Sequence, residues 1–148
     1  MQLISYNING IRAAIRNGLI DWLAQHNFDI VCFQEVKATA DVVDLAAFEE
    51  LGYQYHWHAA EKKGYSGVAT FSKIAPTNVV MGCGLAVYDC EGRILRTDFD
   101  DLTLLNCYFP SGTSGELRVQ IVDCRMLPDA VHADHCPVWL SLSEPTQD

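Results

Sequence analysis

Two short apolar runs separated by a helical segment open the chain, and this order limits the folds that it can adopt. Residues 2–7 and 29–34 are nearly continuous apolar runs, which is typical of strands covered on both faces. Between them, the turn signal Asn9-Gly10 precedes residues 11–26, whose apolar positions recur at helical spacing. A strand, a helix and a second strand in this order predict two parallel neighbours in one sheet.

The remaining pattern predicts a single α/β domain over residues 1–148. Residues 40–51 have a helical pattern that ends at Gly52, and hairpin turns are predicted at 89–92 and at Asp100-Asp101. Further strands are predicted at 53–58, 67–72, 78–81, 93–99, 102–109 and 137–143. Helices that flank a β-rich centre predict a layered α/β sandwich of the four-layer α-β-β-α type.

The charge of the chain bears on its partners. A net charge of −9 disfavours a protein that holds nucleic acid by bulk electrostatics. However, carboxylates gathered around a divalent metal make the total charge a poor guide to the local field. The basic residues lie close in sequence to the motifs described below: Arg12, Arg16, Lys37, Lys62, Lys63 and Lys73.

The apolar runs and the cysteines indicate the cellular compartment in which we expect the protein. No run approaches the roughly 20 apolar residues needed to cross a bilayer, and the N-terminus shows no charged leader or cleavage site. We therefore expect a cytoplasmic protein with no membrane partner. The six cysteines include no CxxC pair, which predicts reduced, mostly buried thiols rather than a disulfide framework or a zinc site.

Asn7 and Glu35 lie at the C-terminal ends of the first two predicted strands. Because the ends of parallel neighbours meet at one sheet edge, we expect both side chains there. A carboxylate and an amide supply the hard oxygen ligands that Mg²⁺ takes, together with water and substrate phosphate. The alternative is a turn hydrogen bond for Asn7 and a solvated strand-end charge for Glu35.

Three further segments carry side chains of catalytic or binding type. Asp134 and His135 precede the last strand, where the imidazole could donate to a phosphoryl oxygen or belong to a plain surface turn. Tyr108 ends the run TLLNCY, where its hydroxyl could reach an oxyanion or be that of an ordinary strand tyrosine. Tyr65 and Gly67, in KKGYSG, predict either a loop that approaches a nucleic-acid backbone or a surface turn.

Five of these segments occur in a fixed order: QLISYNINGIRAA, DIVCFQEVKA, KKGYSGVATFS, NCYFPSG and ADHCPVWLSL. Together they resemble the exodeoxyribonuclease III and abasic-site endonuclease family, within the endonuclease/exonuclease/phosphatase superfamily. The resemblance covers nearly the whole chain, and ordered motifs are more specific than any single one. It implies a DNA-repair phosphodiesterase that hydrolyses DNA at abasic sites and from 3′ ends.

The resemblance also implies roles for individual residues. A Mg²⁺ site, which Mn²⁺ could also fill, would involve Asn7, Glu35 and Asp134. Tyr108 would be an active-site hydroxyl, and His135 would contact the scissile phosphate. Double-stranded DNA with abasic sites or 3′ ends would be the partner, held along its backbone by Arg12, Lys37, Lys62, Tyr65 and Gly67.

The chain departs from the family pattern between Gln120 and Ile121. The family's GDxN motif, whose Asp activates the attacking water, is absent, as is the segment whose Asp partners the active-site histidine. Relative to a full domain, a block of about 100 residues is missing. Neither Asp123 nor Asp129 is spaced to replace the lost groups.

This departure leaves two functions open. The first is a DNA-repair enzyme whose activity in this form is reduced or lost. The second is a non-catalytic deletion variant or fragment that binds metal, DNA or a protein partner. A phosphodiesterase for small or lipid phosphates is disfavoured by the GYSGVA and GIRAA segments. A sheet edge left open by the deletion would allow oligomerisation.

Overall fold

The predicted strand–helix–strand opening is present, and its two strands are parallel neighbours. In a computed structural model, which describes residues 1–110, 125–126 and 138–141, β1 (Gln2–Asn7) pairs with β2 (Ile30–Gln34). Asn7 lies opposite Gln34, the residue before Glu35. The two strands therefore end at the same edge of the sheet, as the sequence predicts.

The described strands form two sheets. The larger sheet has the order β3-β4-β2-β1-β9-β8, and the smaller has the order β5-β6-β7. All neighbouring pairs other than β1 and β2 are antiparallel. The later strands are β3 (Gln54–His58), β4 (Val68–Ser72), β5 (Asn78–Met81), β6 (Ile94–Asp98), β7 (Thr103–Cys107), β8 (Arg125–Met126) and β9 (Val138–Ser141).

The larger sheet is covered on both faces. One face packs against α1 (Ile11–Arg16), α2 (Leu19–His26) and α3 (Ala46–Glu50) through a core that includes Ile4, Tyr6, Trp22, Phe33, Phe48 and Phe71. The other face carries Leu3, Ile30 and Cys32, which pack against Phe99 and Leu102 beside the smaller sheet. Alternating side chains along each strand explain the two separate cores. The layers are helix, sheet and sheet, which confirms the α/β sandwich class.

The fourth predicted layer is not found among residues 1–110. On the outer face of the smaller sheet, Val80 is 41% exposed and Leu105 is 60% exposed. The sandwich is therefore incomplete in the part of the chain that the structure describes. Among the described strands, β3 and β8 are the outermost of the larger sheet, and β5 and β7 are the outermost of the smaller one. Oligomerisation through such an edge stays a prediction.

Helices occur at both predicted positions, but each predicted helix is divided into two shorter ones. Residues 11–26 form two helices, because Gly18 takes a left-handed φ of 93° between them. Residues 40–51 form a 3-10 helix (Ala40–Val42) and then α3, separated by Val43 in an extended conformation. A β-branched residue favours that conformation. The Asp44 carboxylate then accepts a hydrogen bond from the Ala46 backbone N–H at 3.2 Å, which lets the chain turn into α3.

The two predicted hairpin turns have different outcomes. Asp100-Asp101 form a tight turn, in which the Phe99 N–H donates to the Leu102 carbonyl at 2.7 Å. Residues 89–92 do form a turn, in which the Gly92 N–H donates to the Asp89 carbonyl at 3.0 Å, but they do not join β5 to β6 as a tight hairpin, because the connection also contains an unpredicted short helix, α4 (Ala86–Asp89). The Asp89 carboxylate accepts the backbone N–H groups of Cys83 and Gly84 at 2.8 and 2.9 Å, which favours this longer connection.

The described cysteines are free thiols, as predicted, but they are not mostly buried. Cys32 is buried, Cys90 and Cys107 are partly exposed, and Cys83 is exposed. Burial raises the pKa of the Cys32 thiol to about 12. Cys124 and Cys136 lie outside the described residues. Among the helices that the structure describes, none has the length and apolar character that a bilayer crossing requires.

A buried polar network joins the two sheets. Asn106 on β7 is 1% exposed, and its Nδ2 donates to the carbonyl oxygens of Phe33 at 3.2 Å and Ala69 at 2.9 Å. Its Oδ1 accepts a hydrogen bond from Gln34 Nε2 at 2.8 Å. The network therefore fixes β7, and the residues that follow it, against the end of β2.

His56 on β3 gives the fold a pH dependence. Burial lowers the pKa of its imidazole below the ordinary value of 6.5, and its Nε2 has no hydrogen-bond partner among the described residues. The unfolded chain binds the proton more tightly, so this contribution to stability is full above about pH 6.5 and is lost as the pH falls toward the folded-state pKa.

We expect His56→Gln to reduce the stability difference between about pH 7.5 and about pH 5.5. Urea unfolding followed by circular dichroism at both pH values measures that difference. An unchanged difference in the variant would contradict a partly buried, neutral His56.

Candidate active site at the ends of the parallel strands

Asn7 and Glu35 meet at the edge of the larger sheet. Asn7 Nδ2 donates to Glu35 Oε1 at 2.8 Å, and Asn7 Oδ1 accepts the Asn9 backbone N–H at 3.1 Å. The turn hydrogen bond considered for Asn7 is therefore present together with the contact to Glu35. The Glu35 side chain is only 15% exposed, so it is not a solvated strand-end charge.

The backbone around Glu35 is held in an uncommon conformation. Glu35 and Lys37 have left-handed φ angles of 52° and 51°, which cost a non-glycine residue about 1–2 kcal/mol each. Neighbouring loops hold them there: the Gly10 N–H donates to the Glu35 carbonyl at 2.8 Å, and the Lys37 N–H donates to the Ser66 carbonyl at 2.9 Å. Strain of this kind concentrates at functional sites. These hydrogen bonds thus hold the segments that contain Gly10, Glu35 and Ser66 together around the carboxylate.

Glu35 remains ionised at neutral pH. Burial acts to raise its pKa, but hydrogen bonds from Asn7, Lys37 and Tyr108 and the charge of Lys37 outweigh burial and lower it. Lys37 Nζ lies 2.9 Å from Glu35 Oε2 and also donates to Asn9 Oδ1. The site therefore holds a fixed negative charge beside a cation.

Tyr108 lies beside Glu35, and its role as an active-site hydroxyl stays a prediction. It follows β7, and its hydroxyl donates to Glu35. Burial and then the Glu35 carboxylate raise the pKa of the phenol to about 12. Tyr108 therefore keeps its proton at neutral pH and can act as a hydrogen-bond donor.

A basic groove runs beside the site. Arg12 and Lys37 line two adjoining cavities, the smaller of which also includes Arg16. The larger has a volume of about 480 Å³ and is lined further by Lys62, Lys63 and Tyr65, so that its four basic residues outnumber its two acidic ones, Asp41 and Glu61. The Lys62 ammonium lies 5.2 Å from the centre of the Tyr65 ring, within range of a cation–π interaction.

The other residues singled out in the sequence have separate outcomes. Gly67 is not among the residues that line the two cavities; its φ is 85° and a Cβ on it would lie 2.8 Å from Val36 Cγ2, so the position requires glycine. Lys73 lies at the opposite end of β2, where its backbone N–H donates to the Asp29 carbonyl. Lys73 is therefore close to the motifs in sequence but does not line either cavity. Asp134 and His135, with Asp123 and Asp129, lie outside the described residues.

Two residues that sequence reasoning missed support this site. The sequence pattern indicates Asn106 only as part of a strand and Arg93 only as the start of one. The Arg93 guanidinium lies 5.8 Å from the centre of the Tyr108 ring. Neither has a local sequence signal, because both contacts are formed between strands distant in the chain.

The donor atoms at the strand ends suit Mg²⁺ in type. Glu35 offers a carboxylate and Asn7 an amide oxygen, and Mg²⁺ usually takes one or two carboxylates with water and substrate phosphate. No group of three or more His, Cys, Asp or Glu that could hold a metal occurs in the described part of the chain.

The fold and the site place the chain in one class: layered α/β proteins whose functional side chains gather where parallel strands end. Sequence comparison makes the assignment specific. The profile of the Endonuclease/Exonuclease/phosphatase family matches residues 4–147, and the chain belongs to this family. The family expected from the ordered motifs is confirmed.

The relatives of the chain include nucleases. It is 38% identical to an exodeoxyribonuclease of Bacillus subtilis (strain 168) over 120 residues, which cover 80% of this chain and 46% of that protein. An AP endonuclease from Archaeoglobus fulgidus is similar in structure, with a TM-score of 0.65, 29% identity, and coverage of 73% of this chain and 40% of that one.

The structure of a third relative was determined with bound DNA. The 3′ phosphatase NExo from Neisseria, bound to a product DNA hairpin, has a TM-score of 0.64 and 26% identity. That similarity covers 73% of this chain and 41% of the Neisseria protein. The chain therefore spans less than half the length of each of these relatives.

Proposed function

We propose that the chain is a Mg²⁺-dependent DNA-repair phosphodiesterase that acts on duplex DNA at abasic sites and at 3′ ends. The observation that carries this proposal is the contact of Asn7, Tyr108 and Lys37 with one ionised carboxylate, Glu35, beside a basic groove. The names of the relatives, which include an exodeoxyribonuclease, an AP endonuclease and a 3′ phosphatase, support the substrate class.

Each side chain suits one part of phosphodiester hydrolysis. Mg²⁺, when bound, neutralises charge on the phosphate and polarises water. Glu35 and Asn7 would hold the ion, and the Tyr108 hydroxyl, protonated at neutral pH, donates to the Glu35 carboxylate and so helps to orient it toward the ion. The groove cations contact phosphates without reading sequence, which suits an activity needed at any lesion.

The second candidate function is DNA binding without cleavage. It is favoured by the absence of a GDxN motif, because in the family pattern that motif supplies the residue that activates the water. Removing such a group costs several orders of magnitude in rate. The groove does not depend on the motif, so DNA binding would persist.

The deciding experiment is Mg²⁺-dependent cleavage of a labelled duplex with one abasic site, together with release of phosphate from a 3′-phosphorylated duplex. Reactions with excess EDTA and with an undamaged duplex are the controls. Cleavage only with Mg²⁺ and only at the lesion supports the enzyme. Binding without cleavage, by protein shown to be folded, supports the second candidate.

The groove makes a prediction about salt dependence. Each lysine that contacts a phosphate contributes about one unit to the slope of log affinity against log salt. We therefore expect Lys62→Gln with Lys63→Gln to weaken duplex binding and to reduce the steepness of this slope. Fluorescence anisotropy in EDTA over a range of salt concentrations measures both quantities.

Lys73→Gln is the matched control, since Lys73 lies at the opposite end of β2 and carries the same charge. It should leave the slope unchanged. The double substitution removes two charges and the control removes one, so a control effect half as large as that of the double substitution would show that DNA responds to total charge and does not occupy the groove.

A further inference from the structure

Arg93 and Tyr108 lie opposite each other at the ends of neighbouring strands. Ile94 pairs with Cys107 in the β6–β7 ladder, and the ladder continues as the Tyr108 N–H donates to the Arg93 carbonyl at 2.8 Å. From this position the Arg93 guanidinium carbon lies 5.8 Å from the centre of the Tyr108 ring. The backbone and the side chain of Arg93 thus both contact Tyr108.

The turn that carries Arg93 is tightly packed. Gly92 has a φ of 60°, and a Cβ on it would lie 2.5 Å from the Ala59 carbonyl carbon. The Glu61 N–H donates to the Cys90 carbonyl at 2.9 Å, which joins the same turn to the loop that lines the groove. Arg93 therefore projects from a fixed backbone.

The guanidinium itself is held by two contacts. It forms an ion pair with Glu91 and lies over the Tyr108 ring, and its side chain is only 19% exposed. Its buried Nε has no hydrogen-bond partner among the described residues, an arrangement that costs free energy. The ion pair and the ring, rather than a complete set of hydrogen bonds, thus account for its placement.

We propose that Arg93 is a positioning residue that holds the Tyr108 ring so that its hydroxyl stays on Glu35. The ring is then fixed at two points: its face by Arg93 and its hydroxyl by the carboxylate. Without the cation, the ring of a residue at the end of a strand can turn away from Glu35. The inference rests on the proposed function for its catalytic consequence, but the positioning itself can be measured without catalysis.

The first test is nuclear magnetic resonance of protein with ¹³C-labelled tyrosine, with Tyr108→Phe used for assignment. A hydroxyl held by Glu35 exchanges its proton with water slowly. We expect Arg93→Met to accelerate exchange of the Tyr108 hydroxyl by about tenfold or more. Arg93→Lys, which keeps a cation over the ring, should largely restore the slow rate. An unchanged exchange rate in folded Arg93→Met would overturn the proposal.

The second test is a kinetic double-mutant cycle on abasic-site cleavage. Because small misplacements of reacting groups are costly, Arg93→Met should lower kcat by about tenfold with KM nearly unchanged. In a Tyr108→Phe background, which has no hydroxyl to position, the same substitution should have almost no further effect. If Arg93→Met lowers kcat by the same factor in the Tyr108→Phe background as in the wild-type protein, the proposal is overturned. If the chain does not cleave DNA, the proposed function fails, and the hydroxyl exchange alone decides whether Arg93 positions Tyr108.

Discussion

Glu35→Gln is expected to lower Mg²⁺-dependent cleavage of an abasic duplex by about a hundredfold or more. Glutamine keeps the shape of the side chain and can still meet Asn7, but it removes the negative charge that a divalent cation requires. It also removes the partner of Lys37, whose ammonium lies 2.9 Å from Glu35 Oε2. The loss should therefore appear in cleavage and in metal binding together.

Two measurements separate these effects. Mg²⁺ should raise the thermal midpoint of the wild-type protein and have little effect on that of Glu35→Gln, because only a folded site binds the ion. Duplex affinity in EDTA should stay close to wild type. Glu49→Gln, the same change at an exposed position of α3, is the control and should retain both activity and the Mg²⁺ response.

A Glu35→Gln protein that cleaves at nearly the wild-type rate would show that another carboxylate holds the metal. Loss of cleavage with an unchanged Mg²⁺ response would separate metal binding from catalysis. In either case the assignment of Glu35 as a metal ligand would be wrong.

The position of this site could be predicted because it follows from strand direction. Parallel β1 and β2 end at one edge, so Asn7 and Glu35 had to lie near each other once the strand–helix–strand order was recognised. The left-handed conformations of Glu35 and Lys37 could not be predicted, since they depend on hydrogen bonds to loops distant in the chain. Local periodicity carries no information about such contacts.

The basic groove shows why total charge is a poor guide to the proposed DNA partner. The net charge of −9 argued against DNA, yet Arg12, Lys37, Lys62 and Lys63 line one cavity. Interactions between exposed charges are largely screened beyond about 10 Å, so the charges nearest a bound phosphate contribute more than the sum over the chain. Lys73, at the opposite end of β2, shows that nearness in sequence did not guarantee membership of the groove.

Asn106→Asp should be among the most destabilising single substitutions in the described part of the chain. Asn106 Nδ2 donates to the carbonyl oxygens of Phe33 and Ala69, and its Oδ1 accepts from Gln34. An aspartate of the same shape would direct a buried negative charge at two carbonyl oxygens. An unpaired buried charge costs about 3–5 kcal/mol, a large share of the 5–15 kcal/mol that stabilises a typical domain.

The pH dependence of the loss identifies its cause. Burial would raise the folded-state pKa of the new carboxyl above its unfolded value of about 3.9. The protein then loses stability as the pH rises above that value, and the variant should be closest to wild type in acid. Urea unfolding at several pH values, followed by circular dichroism, measures this difference.

Asn17→Asp makes the same chemical change at the exposed C-terminal end of α1 and should cost less than about 1 kcal/mol. If Asn106→Asp costs no more than this control, the network does not hold the two sheets together. A large loss that is independent of pH would point to altered packing rather than a buried charge. A large loss that grows with pH would show that the buried amide joins β7 to β2, and with it holds Tyr108 beside Glu35.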